Sequence, residues 1–400
     1  MQPSTTSTPR QAYLDWLRII AIIGVLILHS GMPYATDLGW HIRNATTSNV
    51  LLEVNVFLHR FRMPLLFFIS GTVSYYMLQR RSGGGFIGLR FRRLFIPLVV
   101  GMLLIVPPQV YMERLTQGFK GNFWDFYPTI FTTGVYPHGN MSWHHLWFIL
   151  YLLVYDIICA PLFVWLMSPK GKHFLQRFSA NRYIHYLFMI PGVLIYAFFA
   201  ARFEETHDLI HDYAFAPYWL FFVLAGFICI ANPVFMDNIE RSRRLSFAFA
   251  FLSLLFINYL RWNQLEDYTY VQGVIVRSIA SLSAWTWVFT AVGYGKKYLN
   301  KFHPSLNYLN QAVYPFYILH QTVIVIISYY LVQPRVSDDV TMKYFFTVGV
   351  TLFISMSIFH LFIRPFPVMR TLFGMKPEKK EKEREKEAVI SSETAVAATI

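Results

Sequence analysis

Ten apolar stretches, roughly 12–33, 55–79, 92–112, 145–167, 184–202, 216–236, 245–261, 271–293, 309–332 and 342–364, constrain this 400-residue chain more than any other feature. Each is long enough to cross a bilayer. Hydrocarbon offers no water to unpaired N–H and C=O groups, so spans of this length satisfy their backbone within helices. The predicted fold class is all-α: a polytopic membrane helical bundle of about ten transmembrane helices. Composition agrees, with 55% hydrophobic and only 14% charged residues.

The net charge of +13 gives no sign of a nucleic-acid partner, because the basic residues fall in short loops between apolar spans. Of the 35 Lys and Arg, 24 fall in the N-terminal segment, the loops of one side and the C-terminal segment. The opposite loops hold seven. That asymmetry predicts an N-in, C-in orientation. The N-terminal segment 1–11 is expected to be cytoplasmic and the first helix retained, since MQPSTTSTPR has no convincing cleavage site. The membrane domain is assigned to 12–366. Residues 367–400, ending in a mixed-charge low-complexity run, are expected to be a disordered cytoplasmic tail. Cys159 and Cys229 sit in apolar runs and read as small core residues. GxxxxGK[ST] does not occur and the glycine run at 83–85 reads as a flexible turn, which argues against a nucleotide-driven pump.

The first stretch, YLDWLRIIAIIGVLILHSGMPY, holds Arg18 near one end and His29 near the other. At that spacing the two share a helical face to within ~20° and stand ~16 Å apart along the axis. Ionisable groups inside a span cost energy unless partnered, so both are candidate functional residues. The predicted orientation puts His29 toward the outer face.

Other polar groups interrupt the apolar pattern. Arg60 and Arg62 open the second span, where they contact headgroups or bind a carboxylate or sugar. Ser70 precedes Gly71 in a pair suited to close helix packing. Arg90, Arg92 and Arg93 form a basic cluster suited to phosphate oxygens. His145 and Trp147 sit at the outer interface of the fourth span, and Asp156 lies deeper, with an interior cation such as Arg18 or Arg277 as its expected partner. His320 lies midway along the ninth span, beyond a kinking Pro315. In the outer loop, His207, Asp208, His211 and Asp212 put two histidines at i, i+4, but no third strong ligand or HExxH glutamate accompanies them, so no metal is expected.

In order along the chain, Arg18-x10-His29, FFISG at 67–71, Arg90-x-x-Arg93 before Ile96-Pro97, HLWF at 145–148 and FYILH at 316–320 resemble the acyltransferase 3 family of integral membrane acyltransferases. The resemblance extends from residue 13 to about 365 and is strongest toward members implicated in succinylating periplasmic glucans. It implies transfer of an acyl group from cytoplasmic acyl-CoA, succinyl-CoA or acetyl-CoA, to a hydroxyl of an extracytoplasmic glycan. Arg18 and His29 match the essential pair. Arg90, Arg92 and Arg93 are expected to hold CoA phosphates. Arg60, Arg62, His145 and Trp147 are expected to bind acceptor or acyl group, and Ser70, Asp156 and His320 to support the polar interior. Acyl-CoA serves as donor substrate, with no permanently bound cofactor. The lipid bilayer and glucan-synthesis proteins are the other expected partners, and the bacterial inner membrane is the expected location. A permease whose polar path is lined by Arg18, Asp156, His320 and His29 fits composition equally well.

Overall fold

The computed structural model describes residues 11–36, 39–178, 181–333 and 336–376. The expected N-terminal segment, apart from its last residue, and most of the expected tail lie outside these. Among the described residues the regular structure is helical, with only isolated bridges between extended residues. In chain order the main helices are α1 (Ala12–Gly31), α2 (Asn49–Leu78), α3 (Gly83–Thr116), α4 (Trp147–Met167) and α5 (Pro169–Phe178). They are followed by α6 (Met189–Phe199), α7 (Phe215–Ala231), α8 (Pro233–Arg241) and α9 (Arg243–Trp262). The last are α10 (Tyr270–Tyr298), α11 (Ser305–Leu331), α12 (Val340–Ile358) and α13 (Pro367–Leu372).

Eight helices among the described residues are long and apolar enough to cross a membrane, so the protein is an integral, multi-pass membrane protein. The other two apolar stretches also form helix, but irregularly. The sixth breaks at Asn232, whose side chain caps α8, so α7 and α8 meet at 104°. The fifth gives only the shorter apolar run Ile184–Phe199. Residues 367–376, expected as tail, are ordered: α13 packs inward and buries Arg370, whose guanidinium donates to the carbonyls of Arg364 and Lys376. The charge run responsible for that expectation starts only beyond them.

α9 and α12 expose large apolar side chains such as Phe249, Leu252, Phe346 and Phe353. On a spanning helix this is the lipid-facing side. At the centre, α2 and α7 cross at glycines. A Cβ on Gly71 would lie 2.0 Å from the Val223 carbonyl oxygen, and one on Gly226 would lie 1.9 Å from that of Phe68. Only a missing side chain permits that approach. α3 contains two wide π-type turns, Phe91–Phe95 and Gly101–Ile105, features that recur at functional sites. It carries Arg90 near one end and Gln109 and Glu113 near the other.

Candidate active site

The two polar residues of α1 both meet α11. Arg18 Nη2 donates to Asn310 Oδ1 at 2.6 Å and lies 3.8 Å from Asp15. His29 Nδ1 lies 2.9 Å from His320 Nε2, with the two rings stacked. Because residue numbers rise together along both helices, α1 and α11 run parallel, with a polar rung at each end. Between the rungs α1 offers Ile22, Val25 and Leu26, all buried.

The hydrogen bonds assign the proton positions. His320 Nδ1 lies 2.6 Å from the Tyr317 carbonyl oxygen, which can only accept, so Nδ1 carries the proton. In neutral His320 the Nε2 is then bare, and His29 Nδ1–H donates to it. That leaves the His29 Nε2 lone pair uncommitted on a partly buried ring. The ring of Trp40, from the loop after α1, lies 5.5 Å from that of His29.

His145 stands behind this pair, its ring edge-on to His320 at 5.3 Å. It donates through Nε2 to the Ile318 carbonyl at 3.0 Å. Gln109 joins it to α11: Gln109 Nε2 donates to Thr322 Oγ1 at 2.7 Å, and Gln321 donates to Gln109 Oε1 at 3.2 Å. Tyr317 donates its hydroxyl to the His145 carbonyl. His145 is therefore enclosed beside the histidine pair, deeper than its location in the sequence suggests. Gln109 and Tyr317 escaped sequence reading; a glutamine inside an apolar span was the available signal.

Arg62 also lies deeper than its position near the second span's start implied, at 8% exposed. Helix α2 begins at Asn49, well before the apolar run, which carries Arg62 into the bundle. Its Nε and Nη1 are buried without a hydrogen-bond partner, and it lies within electrostatic reach of His29, Tyr317 and Glu205. Arg60 is partly buried near Glu53 and Arg261.

Asp156 pairs with an interior cation as expected, but with Arg90 in place of Arg18 or Arg277. Its carboxylate lies 2.5 Å from Arg90 Nε and accepts from Ser74 Oγ at 2.7 Å, while Arg90 Nη2 donates to Ser74 at 3.0 Å. Arg277 instead donates to the Ala197 carbonyl at 2.8 Å. Arg90 is thus committed to an enclosed ion pair. Arg92 stays exposed and Arg93 partly buried. Ser70 donates back to the Leu66 carbonyl at 2.8 Å.

In the loop 203–215, positive φ at His207 and Leu209 breaks the helical turn that would have aligned His207 with His211. His207 stacks on Trp147 at 4.2 Å and bonds Glu205 at 2.8 Å, while His211 bonds Asp208 at 2.6 Å. Trp147 is therefore a buried stacking partner. Burial pushes the Glu205 carboxyl up, but the His207 hydrogen bond and the nearby cationic groups outweigh it and hold it below the usual range.

The family described as an acyltransferase domain matches residues 11–360, and the chain belongs to it. Proteins named glucans biosynthesis protein C from Salmonella heidelberg and Salmonella agona are 23% identical over 398 residues, covering 95% of this chain and 99% of theirs. One from Salmonella gallinarum is 24% identical over 399 residues with the same coverage. No solved structure matches the chain.

Proposed function

With that family as premise, we propose that this acyltransferase moves an acyl group from cytoplasmic acyl-CoA to a hydroxyl of an extracytoplasmic glycan, in the bacterial inner membrane, with His29 as general base. The observation that carries the reading is the chain Tyr317 C=O, His320, His29, which leaves one imidazole lone pair uncommitted. The acceptor hydroxyl gives its proton to His29 Nε2 as its oxygen attacks the thioester carbon. The C–O ester bond forms, the C–S bond breaks, and the proton passes to the departing thiolate. His320 supports the transient imidazolium of His29, since its own Nδ1–H rests on a carbonyl. Well-placed base catalysis of this kind contributes ~10²- to 10⁴-fold.

Arg62 holds the acyl group. A buried guanidinium with two unpartnered nitrogens is suited to an anion, which favours succinyl over acetyl. Arg18 stabilises the donor arm at the opposite rung. Arg92 and Arg93 take the CoA phosphates, and Arg90 positions Asp156. The charge asymmetry of the loops supports both termini lying on the cytoplasmic side. The permease reading loses one of its path-lining groups, because Asp156 is sealed against Arg90 and Ser74.

The test is mass spectrometry of cell-envelope glycans from cells expressing His29→Ala. The expected result is loss of the acyl adduct with expression and melting temperature kept. Wild-type acylation in that variant would remove His29 from the chemistry. The mass added by the wild-type protein identifies the acyl group.

A further inference from the structure

A second set of ligating side chains converges on the histidine end of the bundle from three separate segments. His41 comes from the loop between α1 and α2, Glu113 from the last turns of α3, and His144 from the residues leading into α4. One ring nitrogen of each histidine and a Glu113 carboxylate oxygen lie within 4.8 Å of one another. We propose that His41, Glu113 and His144 bind a divalent cation of the zinc class.

The donor set is chemically apt, since two imidazoles and one carboxylate suit zinc and leave a fourth position for water. Tetrahedral bonds of ~2.0–2.2 Å place ligand atoms ~3.4 Å apart, so closing the set takes movements of about 1.4 Å at most. His41 Nδ1 already bonds Glu113 Oε2, and the His41 and His144 rings stack at 4.6 Å. An entering cation replaces the proton shared by His41 and Glu113.

Surrounding groups hold the ligands as an outer shell would. Ser142 Oγ accepts from the His144 backbone N–H at 3.0 Å and lies 2.6 Å from His144 Nδ1. With Nδ1 engaged by Ser142, the ring nitrogen left for a cation is Nε2, which is buried with no hydrogen-bond partner. His144 has φ of +39°, an uncommon backbone for a non-glycine residue, and such strain clusters at functional sites. The Tyr136 hydroxyl donates to Glu113 at 3.2 Å. On the far side of the loop, the buried Lys343 donates to Asn44 at 2.9 Å, pinning the segment that carries His41. The cation would staple this loop, and with it Trp40, over His29.

This inference does not rest on acyl transfer, and its readout is metal content. The full chain in detergent is stripped with chelator, then titrated with zinc or cobalt(II) and analysed by elemental emission and by the visible bands of tetrahedral cobalt. The expected result is about one metal per chain with tetrahedral cobalt bands. Glu113→Gln and His144→Ala are expected to abolish binding, while His211→Ala in the outer loop retains it. Ser142→Ala keeps all three ligands, guards against misfolded ligand variants, and is expected to weaken affinity ~10- to 100-fold. Wild-type metal content no higher than that of a His41→Ala/His144→Ala double variant would overturn the proposal. Undiminished binding in both Glu113→Gln and His144→Ala would overturn it too.

Discussion

Two buried polar groups of this bundle differ in how completely they are partnered. Around Asp156, the carboxylate and the Arg90 guanidinium neutralise each other as an ion pair, and both hydrogen-bond Ser74, inside helices α2, α3 and α4. Around His29, the hydrogen-bond chain ends on an uncommitted ring nitrogen, and Arg62 nearby keeps two nitrogens without partners. A closed set holds helices together, because charges that neutralise each other have nothing left for a ligand. An open set is costly in a low-dielectric interior unless a substrate completes it. The first region thus fits a structural role, and the second fits the proposed chemistry.

Breaking the closed set is expected to give the largest effect on stability. Asp156→Ala strands the Arg90 guanidinium and should cost about 3–5 kcal/mol, whereas the double variant Arg90→Met/Asp156→Leu should recover most of it. Thermal melting in detergent reads both, and a wild-type melting temperature for Asp156→Ala would dissolve the distinction.

In the open set, His320→Ala should lower turnover ~10²-fold with melting unchanged. His320→Gln should retain more activity, because its side-chain oxygen still accepts from His29 Nδ1–H. Equal losses in the two variants would count against the relay. Next in size, Arg62→Met should raise KM for a succinyl donor about 10- to 100-fold, the worth of a charge-assisted hydrogen bond, and leave an acetyl donor little changed. Equal effects on both donors would move Arg62 from the acyl carboxylate to the shared carbonyl.

The smallest effect belongs to the rim. Glu205 is about one-fifth exposed, so Glu205→Gln should cost no more than about 1 kcal/mol. Its carboxyl is held low in the folded protein, so the stability it adds is complete above the ordinary glutamate range and lost as pH falls below it. Melting measured between neutral and acidic pH should show a shallower acid decline for Glu205→Gln than for the wild type.

Much of the bundle was legible in the sequence, since length and hydropathy identify spans without knowing their neighbours. Arg18 and His29 were legible as a same-face pair because helical period is local. Their partners Asn310 and His320 lie almost three hundred residues away, so the two rungs were not. Asp156 illustrates the limit. Several cations inside or beside spans were available to it, and only the packing of α3 against α4 selected Arg90. Arg62 shows another, because the true start of α2 decided its depth. His41 and Glu113 lie in a loop and at a helix end, where no periodicity marks them.

What the sequence by itself determined was an all-α membrane protein of the acyltransferase family with an arginine and a histidine on one face of its first helix. Those properties follow from hydrophobicity and the fixed rise and turn of a helix, and both act over a few residues. Tertiary structure alone decided which polar groups became closed pairs and which stayed open. Partnering inside a bilayer depends on contacts between distant helices, and close crossings such as Gly71 against Val223 fix those contacts to within a fraction of a side chain's width.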